Sequence, residues 1–174
     1  MSINKKYYLW IGLIILIGFF FKVLVAHSQP LCLDEKYSIF YANQFSYLSL
    51  IKNFAEDVHP GSYYLFLKIL LELTHSKTLL RILSSVLIQI VALFFLVLFF
   101  LKKNKKKEAL VLSFIFTFNP FFNHLSFQLR SYSLVFLFTI LTYLSISLWQ
   151  ESGKKLFLFA IFSLLVLANS IHYV

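Results

Sequence analysis

Apolar residues run through this chain in stretches long enough to cross a lipid bilayer. A membrane-spanning helix needs about 20 mostly apolar residues, and five stretches reach that length with short polar interruptions. The pattern predicts an all-α, polytopic transmembrane helix bundle with spans at residues 7–26, 81–101, 109–127, 132–149 and 156–174. A signal peptide is the alternative for the first stretch, but its length and the internal Lys22 favour a retained anchor.

The stretch at residues 62–73 is apolar but short for a span. Lys68 and Glu72 lie four residues apart on one helical face, which favours a helix lying at the membrane interface. Under that interpretation the lysines at 5–6, 102–107 and 154–155 all fall on one side, as the positive-inside rule expects of the cytoplasm. Residues 27–80 are then a large outer loop, and the N-terminus is cytoplasmic.

Composition and charge agree with this map. The 174 residues are 60% hydrophobic and only 13% charged, against about 25% charged in soluble domains. The formal net charge of +9 suggests nucleic acid at first, but most of the lysines cluster at the ends of apolar runs, so the predicted partner is the lipid bilayer and not nucleic acid. Cys32 is the single cysteine, which excludes an intramolecular disulfide.

The outer loop is predicted to contain short interfacial helices. Residues 33–41 place Leu33, Tyr37, Phe40 and Tyr41 on one helical face. Ser46 is a candidate N-cap for a second short helix that extends to residue 54. Such helices hold the carboxylates of the loop close to the lipid headgroups.

Two adjacent carboxylates, Asp34 and Glu35, begin the first loop helix. Anions are favoured at a helix N-terminus. One carboxylate is a candidate general base, and the other a candidate ligand that binds a metal or accepts a hydrogen bond. The alternative interpretation is a solvated charge pair. Asp57 and His59 precede Pro60 further along the loop and are candidates for metal binding or proton transfer, with a loop-to-helix junction as the alternative.

Two arginines are predicted at the outer side, where basic anchors are unusual. Arg130 lies just before Tyr132, which begins the fourth span, and a guanidinium there can bind a phosphate bidentately. Arg81 begins the second span and is interpreted in the same way. A snorkelling anchor is the alternative for both. Pro120 removes a helical N–H group and predicts a kink in the third span.

Taken in order, these features resemble the lipid-linked-sugar glycosyltransferases of the GT-C superfamily, in particular the protein O-mannosyltransferase-like and aminoarabinose-transferase-like membrane enzymes. The resemblance runs from about residue 10 to residue 174. It rests on the order of the first anchor, Asp34-Glu35, Asp57-Val58-His59-Pro60, Leu80-Arg81-Ile82-Leu83-Ser84-Ser85, Asn119-Pro120-Phe121 and Ser126-Phe127-Gln128-Leu129-Arg130-Ser131-Tyr132.

The resemblance implies transfer of a sugar from a polyprenyl-phosphate donor to an acceptor on the outer face of a prokaryotic cytoplasmic membrane, with inversion. It implies Asp34 as the base, Glu35 as an orienting or ion-holding group, and Arg130 and Arg81 as ligands of the donor phosphate. Asp57, His59 and Tyr132 fall in the neighbourhood of the acceptor or of a metal, and Glu35 and His59 are candidate ligands of a divalent ion. No other cofactor is implied.

Two positions depart from the family pattern, and both bear on the metal. Gly61 stands where a second proline often follows His-Pro, and Gln128 stands where an acidic residue often precedes Leu129. Family members are also much longer. The chain is therefore expected to be an N-terminal portion, inactive by itself, with a C-terminal half or partner subunit. The alternative function is a non-catalytic scaffold, an accessory subunit or a remnant of such an enzyme.

Overall fold

The fold is known from a computed structural model, which describes residues 3–52 and 61–172. Those residues form helices and connecting turns, without a strand. The helices are α1 (Ile3–Ser28), α2 (Leu33–Gln44), α3 (Tyr47–Lys52), α4 (Gly61–Leu73), α5 (Lys77–Arg81), a π-helical turn (Ile82–Val86), α6 (Leu87–Lys102), α7 (Lys106–Phe118), α8 (Pro120–Ser126), α9 (Tyr132–Ser152) and α10 (Lys155–Ile171).

Three helices in the described part of the chain are long and apolar enough to cross a membrane. They are Lys5–Ser28, Lys77–Lys102, which joins α5, the π-helical turn and α6, and Tyr132–Ser152. The pair α7 and α8 makes a fourth if it is one broken span, and α10 is a shorter apolar helix. The predicted all-helical fold is therefore confirmed for the described residues, and the number of helices long and apolar enough to span a membrane is three or four, against five predicted spans.

The break between α7 and α8 follows from the local sequence. The two helices are bent by 63°, as Pro120 predicts. The Asn119 side chain accepts hydrogen bonds from the N–H groups of Phe121 and Phe122, and Pro120 occupies the first helical position, where no N–H is needed. Gly153 ends α9 in the left-handed conformation, with φ of 64°, that glycine adopts without strain.

The long helices alternate in direction, so their ends gather into two groups. We call the first group the lysine end. Lys103 forms an ion pair with Glu151 there, and Lys6 and Leu110 line the same cavity. At the opposite end, which we call the loop end, the Thr78 hydroxyl lies 3.4 Å from Nδ1 of His27. The three predicted lysine clusters share the lysine end, and the predicted loop helices join the loop end.

The largest buried cluster lies under the loop helices. The helix α4 buries Tyr63, Tyr64, Leu67 and Leu71 against α2 and α3. Its polar groups face the same neighbours, since Nζ of Lys68 donates to the carbonyl of Ala42 at 3.2 Å. The helix predicted at residues 62–73 therefore forms, and it is not among the helices long enough to span a membrane.

The two predicted loop helices also form. Ser46 caps α3 as expected, because its Oγ accepts a hydrogen bond from the N–H of Ser49 at 3.1 Å. In α2 the apolar side chains Leu33, Tyr37 and Phe40 are exposed. The face that packs on the protein carries Glu35, Ser38 and Ala42 instead. The predicted end of the second helix at residue 54 lies outside the described residues.

Candidate functional site

The first turn of α2 sends its two carboxylates in different directions. Successive residues of an α-helix are rotated by about 100°, so Asp34 and Glu35 do not share a face. The Glu35 residue is 1% exposed, whereas the Asp34 side chain is 68% exposed. The dipeptide therefore supplies one buried and one accessible anion.

The Glu35 carboxylate is fully occupied by protein donors. Its Oε1 accepts from Nε of Arg81 at 2.8 Å and from the N–H of Leu129 at 3.0 Å. Its Oε2 accepts from Nη2 of Arg81 at 2.6 Å and from the N–H of Cys32 at 2.9 Å. Burial raises the pKa of the Glu35 carboxyl, but these hydrogen bonds and the positive charge of Arg81 together outweigh burial and hold that pKa below its usual value.

All the N–H donors of the Arg81 guanidinium are likewise occupied by protein acceptors. A guanidinium has five N–H donors, and two of them bind Glu35. The other three donate to the carbonyls of Ala26 at 2.9 Å, Gln29 at 2.8 Å and Pro30 at 2.9 Å. No N–H of Arg81 is left for a phosphate. We therefore revise the role given to Arg81: it joins the end of α1 to Glu35 in α2, and Glu35 in turn holds the N–H of Leu129.

Lys22 anchors α8 from inside the first span. Its Nζ donates to Oδ1 of Asn123 at 2.6 Å and to Oγ of Ser126 at 3.2 Å, and the residue is 2% exposed. A charged side chain within a membrane helix is costly unless it is bonded. Sequence reasoning used Lys22 only to argue against a signal peptide, although a lysine inside an apolar run was the available signal.

Two more polar side chains fasten the segment 119–131 to the second span. Nε2 of Gln89 donates to the carbonyl of Phe122 at 3.1 Å, and the Ser85 hydroxyl donates to the carbonyl of Gln128. Ser85 lies in the π-helical turn, a deviation that often occurs near functional sites. Sequence reasoning assigned no role to either residue. Three buried donors from two spans thus fix the segment that carries Arg130.

Arg130 meets the accessible carboxylate. Its Nη2 lies 3.3 Å from Oδ2 of Asp34 and its Nη1 lies 3.4 Å from Oγ of Ser38. Charged N–H···O hydrogen bonds are usually 2.7–2.9 Å long, so both contacts are loose. The Arg130 side chain is 13% exposed. The structure therefore brings together two predicted site residues, Asp34 and Arg130, in a pair that opens to the surface.

The remaining predicted site residues have different positions. The ring of Tyr132 packs edge-on against the ring of His172, with centroids 5.7 Å apart. Asp57 and His59 lie outside the described residues. Among the residues that are described, no group of three or more His, Cys, Asp and Glu side chains can hold a metal ion. The metal stays a prediction, since it involves His59.

Tyr63 is a buried neighbour of this region that sequence reasoning missed. Burial raises the pKa of its hydroxyl well above the usual value, and the positive charge of Arg130 acts in the opposite direction with a smaller effect. The phenol is therefore neutral at physiological pH. A tyrosine among many aromatic residues gave no sequence signal of its own.

A polar cavity of about 380 Å³ opens beside the Glu35–Arg81 pair. Its wall includes Cys32, His124 and Gln128, and Nε2 of His124 lies 2.8 Å from Nε2 of Gln128. Asp34 and Arg130 are not among the residues that line it. The accessible Asp34–Arg130 pair therefore lies outside this cavity.

Comparison with known proteins adds no assignment. No family model matches the chain, and no characterised protein and no solved structure matches it significantly.

Proposed function

We propose that this chain is part of a membrane glycosyltransferase that transfers a sugar from a polyprenyl-phosphate donor to an acceptor hydroxyl, with Asp34 as general base and Arg130 as ligand of the donor phosphate. The observation that carries the proposal is the pair itself. A carboxylate and a guanidinium lie 3.3 Å apart although they are 96 positions apart in the sequence. The family resemblance of the sequence supplies the reaction class.

The chemistry follows from the positions of the two groups. Asp34 accepts the proton of the acceptor hydroxyl as the acceptor oxygen attacks the anomeric carbon. The bond between that carbon and the phosphate oxygen breaks, and the polyprenyl phosphate leaves with the electron pair. Arg130 stabilises the negative charge that develops on the phosphate. Attack from the face opposite the leaving group inverts the anomeric centre.

The buried pair Glu35–Arg81 acts in this proposal as a support. Glu35 is the next residue after Asp34 and also binds the N–H of Leu129, the residue before Arg130. One carboxylate therefore fixes both sides of the site, which is how a preorganised site obtains its geometry. Arg81 no longer enters as a phosphate ligand, because protein carbonyls and Glu35 occupy its donors.

The proposed orientation puts the loop end on the outer face. Lysines concentrate on the cytoplasmic side of membrane proteins, and the clusters at 5–6, 102–107 and 154–155 share the lysine end. The site then faces outward from a prokaryotic cytoplasmic membrane. The exposed side chains Leu33, Tyr37 and Phe40 of α2 favour contact with lipid beside Asp34.

The test separates the base from the phosphate ligand. Asp34→Asn keeps the size of the side chain and removes its basicity, so we expect single-turnover transfer to slow by about 10²–10⁴-fold while donor binding persists. Arg130→Lys keeps the charge but loses the planar fork, and Arg130→Ala loses both, so donor binding should weaken in that order. Glu72→Gln is the matched control, because it makes a comparable charge-removing change at a carboxylate that binds Tyr47 and not Arg130.

The measurements are binding of polyprenyl monophosphate to the chain, and transfer from radiolabelled polyprenyl-phosphate hexoses in membranes where the chain is complemented by its expected C-terminal half or partner subunit. Transfer at the wild-type rate by Asp34→Asn would remove Asp34 as the base. Normal binding by Arg130→Ala would reduce Arg130 to an interfacial anchor.

A non-catalytic scaffold is the second candidate. It is favoured by the observation that Glu35–Arg81, the most buried ion pair among the described residues, holds segments together, and that Arg81 has no N–H donor left for a substrate. Under this alternative the Asp34–Arg130 pair is an exposed ion pair worth about 0–1 kcal/mol. Full function of the double variant Asp34→Asn/Arg130→Lys would support it.

A further inference from the structure

A second surface, far from Asp34, has the features of a lipid site. A groove of about 450 Å³ runs between α1 and α6 in the half of the bundle toward the lysine end. Its walls include Tyr8 and Leu16 of α1 and Phe94 and Leu101 of α6. We call it the α1–α6 groove. Its volume falls in the range of ligand pockets, about 300–1,000 Å³.

The groove has a packed floor and open walls. Ile11 and Val97 lie in it at 4% and 2% exposure and belong to the buried cluster between α1, α6 and α7. Tyr8, Leu16 and Phe94 each remain about half exposed. A hydrocarbon chain is the partner that an apolar groove of this kind fits when it lies within a membrane.

Gly12 deepens the groove. A Cβ atom added at Gly12 meets no atom within 4 Å, so the missing side chain leaves space that no protein group fills. Gly18, six residues further along α1, differs because a Cβ there would collide with Thr117 of α7. The two glycines therefore have separate roles: Gly18 allows helix packing, and Gly12 leaves the groove open.

Both walls of the groove end in lysine. On α1, Lys5 continues the helical stripe of Tyr8 and Gly12, at spacings of three and four residues. On α6, Lys102 continues the helical stripe of Phe94 and Leu98, at spacings of four residues. The lysine end as a whole carries nine lysines against Glu108 and Glu151, so its charge is complementary to an anionic headgroup. The positive-inside rule explains the excess of lysines, but it does not require them to terminate this groove.

We propose that the α1–α6 groove binds an anionic phospholipid, with an acyl chain along the groove and the phosphate group between Lys5 and Lys102. The proposal does not depend on the glycosyltransferase assignment, because it concerns the opposite end of the molecule. Each lysine near an anionic lipid surface favours binding by about fivefold. The groove makes that preference local, since the chain and the headgroup must be bound together.

A tryptophan placed in the groove makes the site measurable. Trp10 and Trp149 are the only two in the chain, and Trp10 lines the neighbouring cavity between α1 and α7, not this groove. The parent protein for the measurement therefore carries Trp10→Phe, Trp149→Phe and Phe94→Trp, which leaves one tryptophan, in the wall of the groove. The full chain is placed in phosphatidylcholine bilayers, and its fluorescence is titrated with brominated phosphatidylglycerol or with brominated phosphatidylcholine.

We expect brominated phosphatidylglycerol to quench this tryptophan at about one fifth, or less, of the concentration that brominated phosphatidylcholine requires. Lys5→Gln/Lys102→Gln should bring the two lipids close to equal. Lys154→Gln/Lys155→Gln is the matched control, since it removes the same charge at the same end but at the start of α10, and it should keep the preference.

Gly12→Leu tests the groove without changing any charge, because the position has room for a side chain. Gly12→Leu should abolish the preference for phosphatidylglycerol while circular dichroism shows an intact helical fold. If a lysine variant fails to fold, the result for Gly12→Leu decides whether the groove binds the lipid. The proposal is overturned by equal quenching in the parent protein, by equal losses in the two double-lysine variants, or by an unchanged preference in Gly12→Leu.

Discussion

Replacing Glu35 by glutamine tests the buried ion pair most directly. Glutamine has the same shape but only one acceptor oxygen, whereas both oxygens of Glu35 accept two hydrogen bonds each. If the amide oxygen takes the place of Oε1, the amide N–H₂ group faces Nη2 of Arg81 and the N–H of Cys32. If it takes the place of Oε2, the amide faces Nε of Arg81 and the N–H of Leu129. Either way two donors lose their acceptor.

The magnitude follows from those two losses. A hydrogen bond from a charged donor is worth about 1.5–3 kcal/mol and one from a backbone N–H about 0.5–1.5 kcal/mol, so the sum is about 2–4.5 kcal/mol. A second estimate gives a similar loss of stability. Without the charge of Glu35, Arg81 remains charged at 1% side-chain exposure, and breaking a buried ion pair in this way typically costs about 3–5 kcal/mol. We expect Glu35→Gln to lower the free energy of unfolding by about 3 kcal/mol.

The same substitution changes how stability depends on pH. The pKa of Glu35 is depressed in the folded protein from its unperturbed value of 4.5. Its contribution to stability is therefore complete above pH 4.5 and is lost as the pH falls through the folded pKa. Over that range the unfolded chain binds a proton at Glu35 more readily than the folded protein does, and this favours unfolding. Glu35→Gln should lack this acid-side loss.

The assay is unfolding by SDS in mixed micelles, followed by circular dichroism at pH 7 and at several values below 4.5. Asp34→Asn is the control, because its ion pair is exposed and worth about 0–1 kcal/mol. A loss in Glu35→Gln no larger than that of the control, or an acid-side loss equal to that of the wild type, would refute the reasoning that the buried pair holds the loop end together.

Two further predictions concern the arrangement in the membrane and the anchoring of α8. Cys32 is an exposed free thiol at the loop end, so a membrane-impermeant maleimide should label it in intact spheroplasts; labelling only after permeabilisation would invert the proposed orientation. Lys22→Met removes both hydrogen bonds to Asn123 and Ser126, so amide hydrogen exchange in residues 123–130 should accelerate at least about fivefold, the equivalent of one hydrogen bond of about 1 kcal/mol; unchanged exchange would mean that α8 is held by other contacts.

The long apolar helices were predictable because length and composition decide them. The first, second and fourth predicted spans lie within helices Lys5–Ser28, Lys77–Lys102 and Tyr132–Ser152. The second helix begins earlier than predicted because Ser76 caps it, accepting a hydrogen bond from the N–H of Leu79. A cap is a local sequence signal. Here the polar residues Lys77 and Thr78 lie between the cap and the apolar run, so the run alone did not indicate where the helix begins.

The contacts of the site were not predictable, because they join residues far apart in the sequence. Asp34, Glu35, Arg81 and Arg130 were all candidates, yet the sequence does not tell which arginine meets which carboxylate. The pairs are 46 and 96 residues apart, and only the packing of the helices selects them. The division of the predicted apolar face of α2 was hidden for the same reason: Phe40 is exposed, whereas Tyr41 packs against Tyr64.

The π-helical turn at Ile82–Val86 makes this span sensitive to changes in length. Its closing hydrogen bond runs from the N–H of Leu87 to the carbonyl of Ile82, five residues back instead of four, so the turn holds one residue more than an α-helix needs. Deleting one residue there would restore a regular α-helix, but it would rotate Arg81 by about 100° relative to α6 and carry it away from Glu35. In an alignment of homologous sequences, a one-residue gap at 82–86 should therefore coincide with loss of the acidic residue at position 35.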